Sequence, residues 1–151
     1  MNALENSTAF PRIPNAILTG DLLVGGAPTQ EHLQQAIAQG FTAFIDLRAH
    51  GEAGVDEARD ALVRANTHYQ HIPVAGAAGL TRENAQALDA ALAKTKGPTV
   101  VFCASGNRVG ALLALRAHWL HGASPEQALK IGREAGLTRM ADVVAQMLSA
   151  T

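Results

Sequence analysis

Short apolar runs rich in β-formers alternate along this chain with stretches of helical periodicity, and that alternation leaves few folds open. A strand, a helix and a second strand in succession bring the strands back parallel, so such a chain makes a mostly parallel sheet covered by helices. The strand-like runs are Phe41 to Leu47, His68 to Val74 and Thr99-Val100-Val101-Phe102. Ala16 to Val24 adds two short strands around a Gly20-Asp21 turn. Pro28-Thr29 opens a helix whose inward face is Leu33, Ala36 and Ile37, and Gly40 ends it. Asp56 to Ala65 makes another, and Thr81 caps a third with the stripe Ala85, Leu88 and Leu92. Past Phe102, Val109 to Leu120 is strongly helical. Ser124-Pro125-Glu126-Gln127 is a capping box that starts a further helix, and a last one runs from about Arg139 to Leu148. The expectation is an α/β fold: a mostly parallel central sheet flanked by helices, three layers in a single domain over residues 13–151 after a tail over 1–12.

At 151 residues the chain suits one core rather than two. With 48% hydrophobic and 17% charged residues it belongs with globular chains, not disordered ones. Twelve Lys+Arg against thirteen Asp+Glu leave a formal charge of -1, so neither nucleic acid nor an anionic membrane is expected as partner. Nothing from Met1 to Phe10 reads as a signal peptide or a spanning helix. One cysteine, Cys103, allows no internal disulfide and no Cys-pair zinc site, and the expected compartment is the cytoplasm. The histidines show no metal-ligand spacing, and His68 and His71 fall on opposite faces of their strand. No metal and no organic cofactor is expected, and the oligomeric state stays open.

The chemistry concentrates in Phe102-Cys103-Ala104-Ser105-Gly106-Asn107-Arg108-Val109-Gly110. This run puts a thiol at the end of a strand, a small-residue loop after it and a helix start behind the loop. Backbone N–H groups of such a loop converge into a concave nest for an anion, and the helix N-terminus adds about half a positive charge. Arg108 adds a fork that matches an oxyanion with two parallel bonds. The same field favours the thiolate over the thiol, so one loop makes the nucleophile and holds the group it attacks. Cys103 and Arg108 are therefore the candidate catalytic pair, with Ala104, Ser105, Gly106, Asn107 and Val109 as donors to a phosphate. Ser105 and Asn107 are also candidates to place a side chain near the phospho-enzyme.

On these residues the chain resembles the bacterial protein-tyrosine-phosphatase-like family often called beta-lactamase-hydrolase-like, whose members are also labelled sulfurtransferases. The resemblance spans about Ile17 to Leu148. It rests on Gly25-Gly26-Ala27-Pro28, Phe44-Ile45-Asp46-Leu47-Arg48, His71-Ile72-Pro73-Val74 and, most specifically, Cys103-Ala104-Ser105-Gly106-Asn107-Arg108. It implies the fold of the dual-specificity phosphatases.

The pattern departs from the wider phosphatase class in four places. Four residues, not five, separate Cys103 from Arg108, a length that also resembles the loop of rhodanese sulfurtransferases. Phe102 stands where those phosphatases place His, and Val109 where they place a hydroxyl that helps the thiolate. Val74 to Leu80, the loop that would supply the general acid, holds no acid, base or hydroxyl. A missing general acid predicts slow hydrolysis of poor leaving groups, since such a group contributes roughly 10²–10⁴-fold. Asp46 and His71 are the remaining acid/base candidates, against the plainer reading that Asp46 caps a loop or pairs with Arg48. Glu52, Asp56 and the histidines His32, His50, His118 and His121 read as solvated or surface residues, and Leu115 and Trp119 as core.

Three readings stay open on the sequence. The first is a cysteine-dependent hydrolase of a phosphorylated small molecule or phosphoprotein. The second is a sulfurtransferase that takes sulfur from a sulfane donor onto Cys103. The third is a module that captures phosphate without turning it over.

Overall fold

The structure is a computed structural model and describes residues 12–150. The expected tail over 1–12 lies outside the described residues except for Arg12. Five strands form one sheet: β1 (Ile17–Thr19), β2 (Leu22–Gly25), β3 (Ala43–Asp46), β4 (His68–His71) and β5 (Thr99–Phe102). Their order across the sheet is β1-β2-β5-β3-β4, with only the β1–β2 pair antiparallel. Among the described residues six helices accompany them: α1 (Gln30–Ala38), α2 (Val55–Arg64), α3 (Arg82–Lys94), α4 (Asn107–His121), α5 (Pro125–Glu134) and α6 (Ala141–Ser149). The mixed, mostly parallel sheet with helices on both faces is the expected α/β architecture.

β5 is the middle strand, flanked by β2 and β3, and all four of its residues are buried. A parallel strand covered on both faces reads as an unbroken apolar run, which is why Thr99-Val100-Val101-Phe102 was legible. Alternation along the strands sorts the core into two layers. Leu23, Phe44, Val100 and Phe102 pack with Leu33, Ala58 and Leu62 of α1 and α2. Val24, Ile45, Val101 and Cys103 pack on the other face with residues of α3 to α6, among them Leu88, Leu112, Leu115, Ala128 and Val144. At roughly 25 cal/mol per Å² of apolar area, each such buried Leu or Phe favours the folded state by about 2 kcal/mol.

Local signals set the helix ends. Thr29 and Thr81 each accept a bond from the N3 amide, and Ser124 and Gln127 form the reciprocal capping box with Pro125 at the first helical position. α4 starts two residues earlier than its apolar pattern suggested, because Gly106 at φ +94 caps it and lets Asn107 and Arg108 join the first turn. The segment after β4 is not an open loop but one short 3-10 turn, Gly76–Gly79.

Parallel strands all end on the same edge of a sheet. The segments after β3, β4 and β5 therefore meet at one place, the usual ligand crevice of an open α/β sheet.

Candidate active site

β5 ends at Phe102, and Cys103 follows with no exposed surface, its N–H bonded to the Gly25 carbonyl at 3.2 Å. The chain then turns so tightly that the Gly106 N–H points back at the thiol, 3.1 Å from Sγ. The first intrahelical bond of α4 runs from the Gly110 N–H to the Gly106 carbonyl, so the amides of Asn107, Arg108 and Val109 precede it. Thiol and helix N-terminus thus share one spot, the arrangement the sequence led us to expect.

The loop is fixed by backbone on both flanks. The Ala27 N–H binds the Ala104 carbonyl at 3.1 Å, and the Asn15 side-chain amide donates to the Ser105 carbonyl at 3.0 Å. Gly26 passes so close that a Cβ there would stand 2.8 Å from the Ala104 carbonyl oxygen and 3.2 Å from the Ser105 Cα. On the other flank, a Cβ on Gly136 would meet the Gly106 carbonyl oxygen at 3.0 Å. The Gly25-Gly26-Ala27 signature is thereby explained as a wall against the Cys103 loop.

Arg108 leans toward the β3 and β4 side. Its Nη1 donates to Glu52 Oε2 at 2.7 Å and to the Val74 carbonyl at 2.8 Å, and its Nη2 donates to Glu52 Oε1 at 2.8 Å. Glu52 also accepts the Ala49 N–H at 2.5 Å. The Arg108 guanidinium first, with help from that amide, holds the Glu52 carboxyl down at about 2 from 4.5. In return the Arg108 pKa is raised, by Glu52 foremost and also by the nearby Cys103. Glu52 is therefore not a solvated loop residue, as the sequence suggested. It is the anionic partner of the candidate catalytic arginine, 56 positions away in the chain.

The acid/base candidates are placed elsewhere. Asp46 shares the face of Phe44, opposite to Cys103, and both its oxygens are taken by Arg48 at 2.9 to 3.3 Å. Both residues are buried, Asp46 at 0% and Arg48 at 1% exposure. Arg48 further donates to the carbonyls of Ala53 (3.0 Å) and Gly54 (3.3 Å) and lies 5.2 Å from the Phe102 ring centre. It ties the segment that carries Glu52 to the sheet. His71 pairs its Nε2 with the Arg48 carbonyl at 2.6 Å and meets the His50 ring edge-on at 4.8 Å. Neither Asp46 nor His71 is bonded to the Cys103 loop; their bonds go to Arg48.

Two of the expected loop donors also divide differently. The Asn107 side chain turns away from the anion site and accepts the amides of Thr138 (2.9 Å) and Met140 (3.3 Å), leading into α6. Val109 is fully buried, so only its main chain can serve the loop. Ser105 is half-buried and Ala104 exposed at the loop's rim. The acid-free segment after β4 contributes through its backbone, since the Val74 carbonyl holds Arg108.

Three kinds of similarity to known proteins bear on this geometry. The family model described as beta-lactamase hydrolase-like protein, phosphatase-like domain, matches residues 15–118. The beta-lactamase hydrolase-like protein of Xylella fastidiosa (strain Temecula1) is 34% identical over 98 residues, covering 62% of this chain and 22% of that protein. The chain thus spans about a fifth of the length of that curated relative. Among solved structures, Tk-PTP in its active form superposes with TM-score 0.66 at 20% identity, over 91% of this chain and 97% of that one. The core catalytic domain of the PP-IP phosphatase SIW14 from S. cerevisiae does so with TM-score 0.62 at 17% identity, over 90% and 86%. At these identities the two structures speak for the fold.

Proposed function

The chain belongs to the beta-lactamase hydrolase-like family of phosphatase-like domains, and from that premise we propose that it hydrolyses phosphate monoesters through a phospho-cysteine on Cys103. The observation that carries the reading is the Gly106 N–H aimed at Sγ from the start of α4, with Arg108 alongside. Sγ attacks phosphorus and the ester P–O bond breaks. Water then breaks the S–P bond, returning the thiolate and releasing inorganic phosphate. Arg108 and the amides of 104–109 hold the phosphoryl oxygens as charge builds on them. In the resting arrangement Glu52 occupies the Arg108 fork and Cys103 is covered, so substrate entry displaces a side chain at this rim.

No residue of the Val74–Leu80 segment can hand a proton to the leaving oxygen. Substrates whose leaving group departs unprotonated, such as aryl phosphates, are accordingly the best served. The test is release of phosphate from an aryl phosphate by wild type and by Cys103→Ser. Turnover that vanishes in the variant supports the chemistry; full activity in the variant removes it.

A second reading, sulfur transfer, is favoured by one specific observation. Glu52 already neutralises Arg108, which suits a singly charged persulfide in the nest better than a phosphate dianion. Sγ would attack the sulfane sulfur of thiosulfate, the S–S bond would break with release of sulfite, and an acceptor thiolate would later remove the sulfur as its own persulfide. Intact mass after incubation with thiosulfate decides it. One added sulfur on wild type and none on Cys103→Ser supports this branch, and an unmodified wild-type mass sinks it.

A further inference from the structure

The anion nest accounts for one end of a substrate, and a second feature on the same edge of the sheet accounts for the other. Beside the Cys103 loop, on the side away from Glu52, lies an open trough of about 520 Å³. Small-molecule sites commonly span roughly 300–1,000 Å³ and mix apolar contact with a few placed polar groups. Here Ala16 and Ile17, at the start of β1, supply the apolar contact. Asn15 and Ser105, already joined through the Ser105 carbonyl, supply polar atoms next to the nest. The third wall comes from the link between α5 and α6, where Gly136 backs onto the Gly106 carbonyl.

From that link Thr138 and Arg139 face the same space. Thr138 is positioned by the Asn107 side-chain oxygen Oδ1, which accepts its amide. Among the described residues of the lining Arg139 is the only charged one, with no carboxylate beside it. Among the described residues it makes no ion pair. Asn15 holds a left-handed backbone (φ +57), a conformation that Asn tolerates and that aims its amide at Ser105. Ser105 thus borders both spaces: its residue closes the nest on one side and lines the trough on the other.

We infer that the trough receives the non-reacting part of the substrate and that Arg139 pairs with a second anionic group on it. The substrate class is then a small phosphomonoester carrying a further phosphate or carboxylate, and a bare aryl phosphate fills only half of the site. The inference rests on the nest being a phosphate site, and the experiment separates the two.

Calorimetry on Cys103→Ser, which cannot turn over, compares inorganic phosphate, phenyl phosphate and fructose 1,6-bisphosphate. The bisphosphate is expected to bind roughly tenfold more tightly than phenyl phosphate, the scale of one charge-assisted bond. Adding Arg139→Ala should erase that gain and leave phenyl phosphate unchanged. If phosphate and phenyl phosphate bind but the bisphosphate gains nothing, or its gain survives without Arg139, the trough is not a subsite. If the bisphosphate alone binds, and only with Arg139 present, the trough is an anion site in its own right, the nest loses its role as phosphate site, and the inference falls with it. Absence of all binding overturns both.

Discussion

Replacing Glu52 by Gln removes the charge of the Glu52–Arg108 pair and one acceptor with it: a single amide oxygen can still receive the Ala49 amide and Arg108 Nη1, as Oε2 does, but the NH2 that replaces Oε1 cannot accept from Nη2. A carboxyl held at about 2 instead of 4.5 favours the folded, ionised state by about 3 kcal/mol if taken at face value. The Glu52 side chain is 31% exposed, however, and solvent screens such a pair. A loss of about 1–2 kcal/mol at pH 7 is the working figure, or about 3–6 °C in Tm for a domain of this size. The pH dependence fixes the sign. A lowered folded-state pKa contributes stability that is fully present above about pH 4.5 and drains away as pH falls toward 2. The gap between wild type and Glu52→Gln should therefore be full at pH 7 and clearly smaller at pH 3. Thermal melts followed by circular dichroism at both pH values, in low salt, measure it. Equal melting at pH 7, or a gap that is undiminished at pH 3, would refute the reasoning.

Gly26→Ala should cost activity out of proportion to stability, because its Cβ would press on the Ala104 carbonyl at 2.8 Å and shift the anion loop. Steady-state kinetics beside a melt checks this, and unchanged kcat/KM with a lowered Tm would contradict it. Asn107→Ala strips the acceptor from the Thr138 and Met140 amides and should destabilise by about 1–3 kcal/mol in urea. Its kcat should stay near that of wild type if the side chain has no part in the chemistry, and a collapse of kcat at full fold would return Asn107 to the reacting site.

Much of this arrangement was readable from residue order, and the reasons are local. The nest is six consecutive residues, so its strand end, its tight turn and its helix start are all written in one stretch. β5 and the capped starts of α1, α3 and α5 likewise depend on near neighbours. Glu52 was illegible because its meaning comes from a partner 56 positions away, and in its own surroundings it is one acid in a Gly-containing loop. The same holds for Asn107, whose sequence position inside the motif suggested a part in the anion site. Its side chain is claimed instead by the link before α6. Asp46 is an intermediate case: its bond to Arg48 two residues on was foreseeable, but that it faces away from Cys103 follows only once the β3–β5 register sets Asp46 opposite Phe102. The role of Gly25-Gly26-Ala27 needed the β2–β5 pairing, which only the folded sheet supplies.

Main chain closes most of the space around the Cys103 loop: the Gly26 and Gly136 backbones press on it, and the Gly106 N–H points at the thiol. A cradle of that kind sorts anions by radius, shape and charge and is blind to which element sits at the centre. Sulfate and vanadate present the same tetrahedron of oxygens as phosphate, and thiosulfate presents three such oxygens and a sulfur, so each of them would be expected to compete for these donors. Phosphoryl and sulfur chemistry can share this loop without remodelling it. What the backbone leaves undecided falls to the electrophile's bond to its leaving group and to the one charged side chain of the loop, Arg108, whose charge Glu52 offsets.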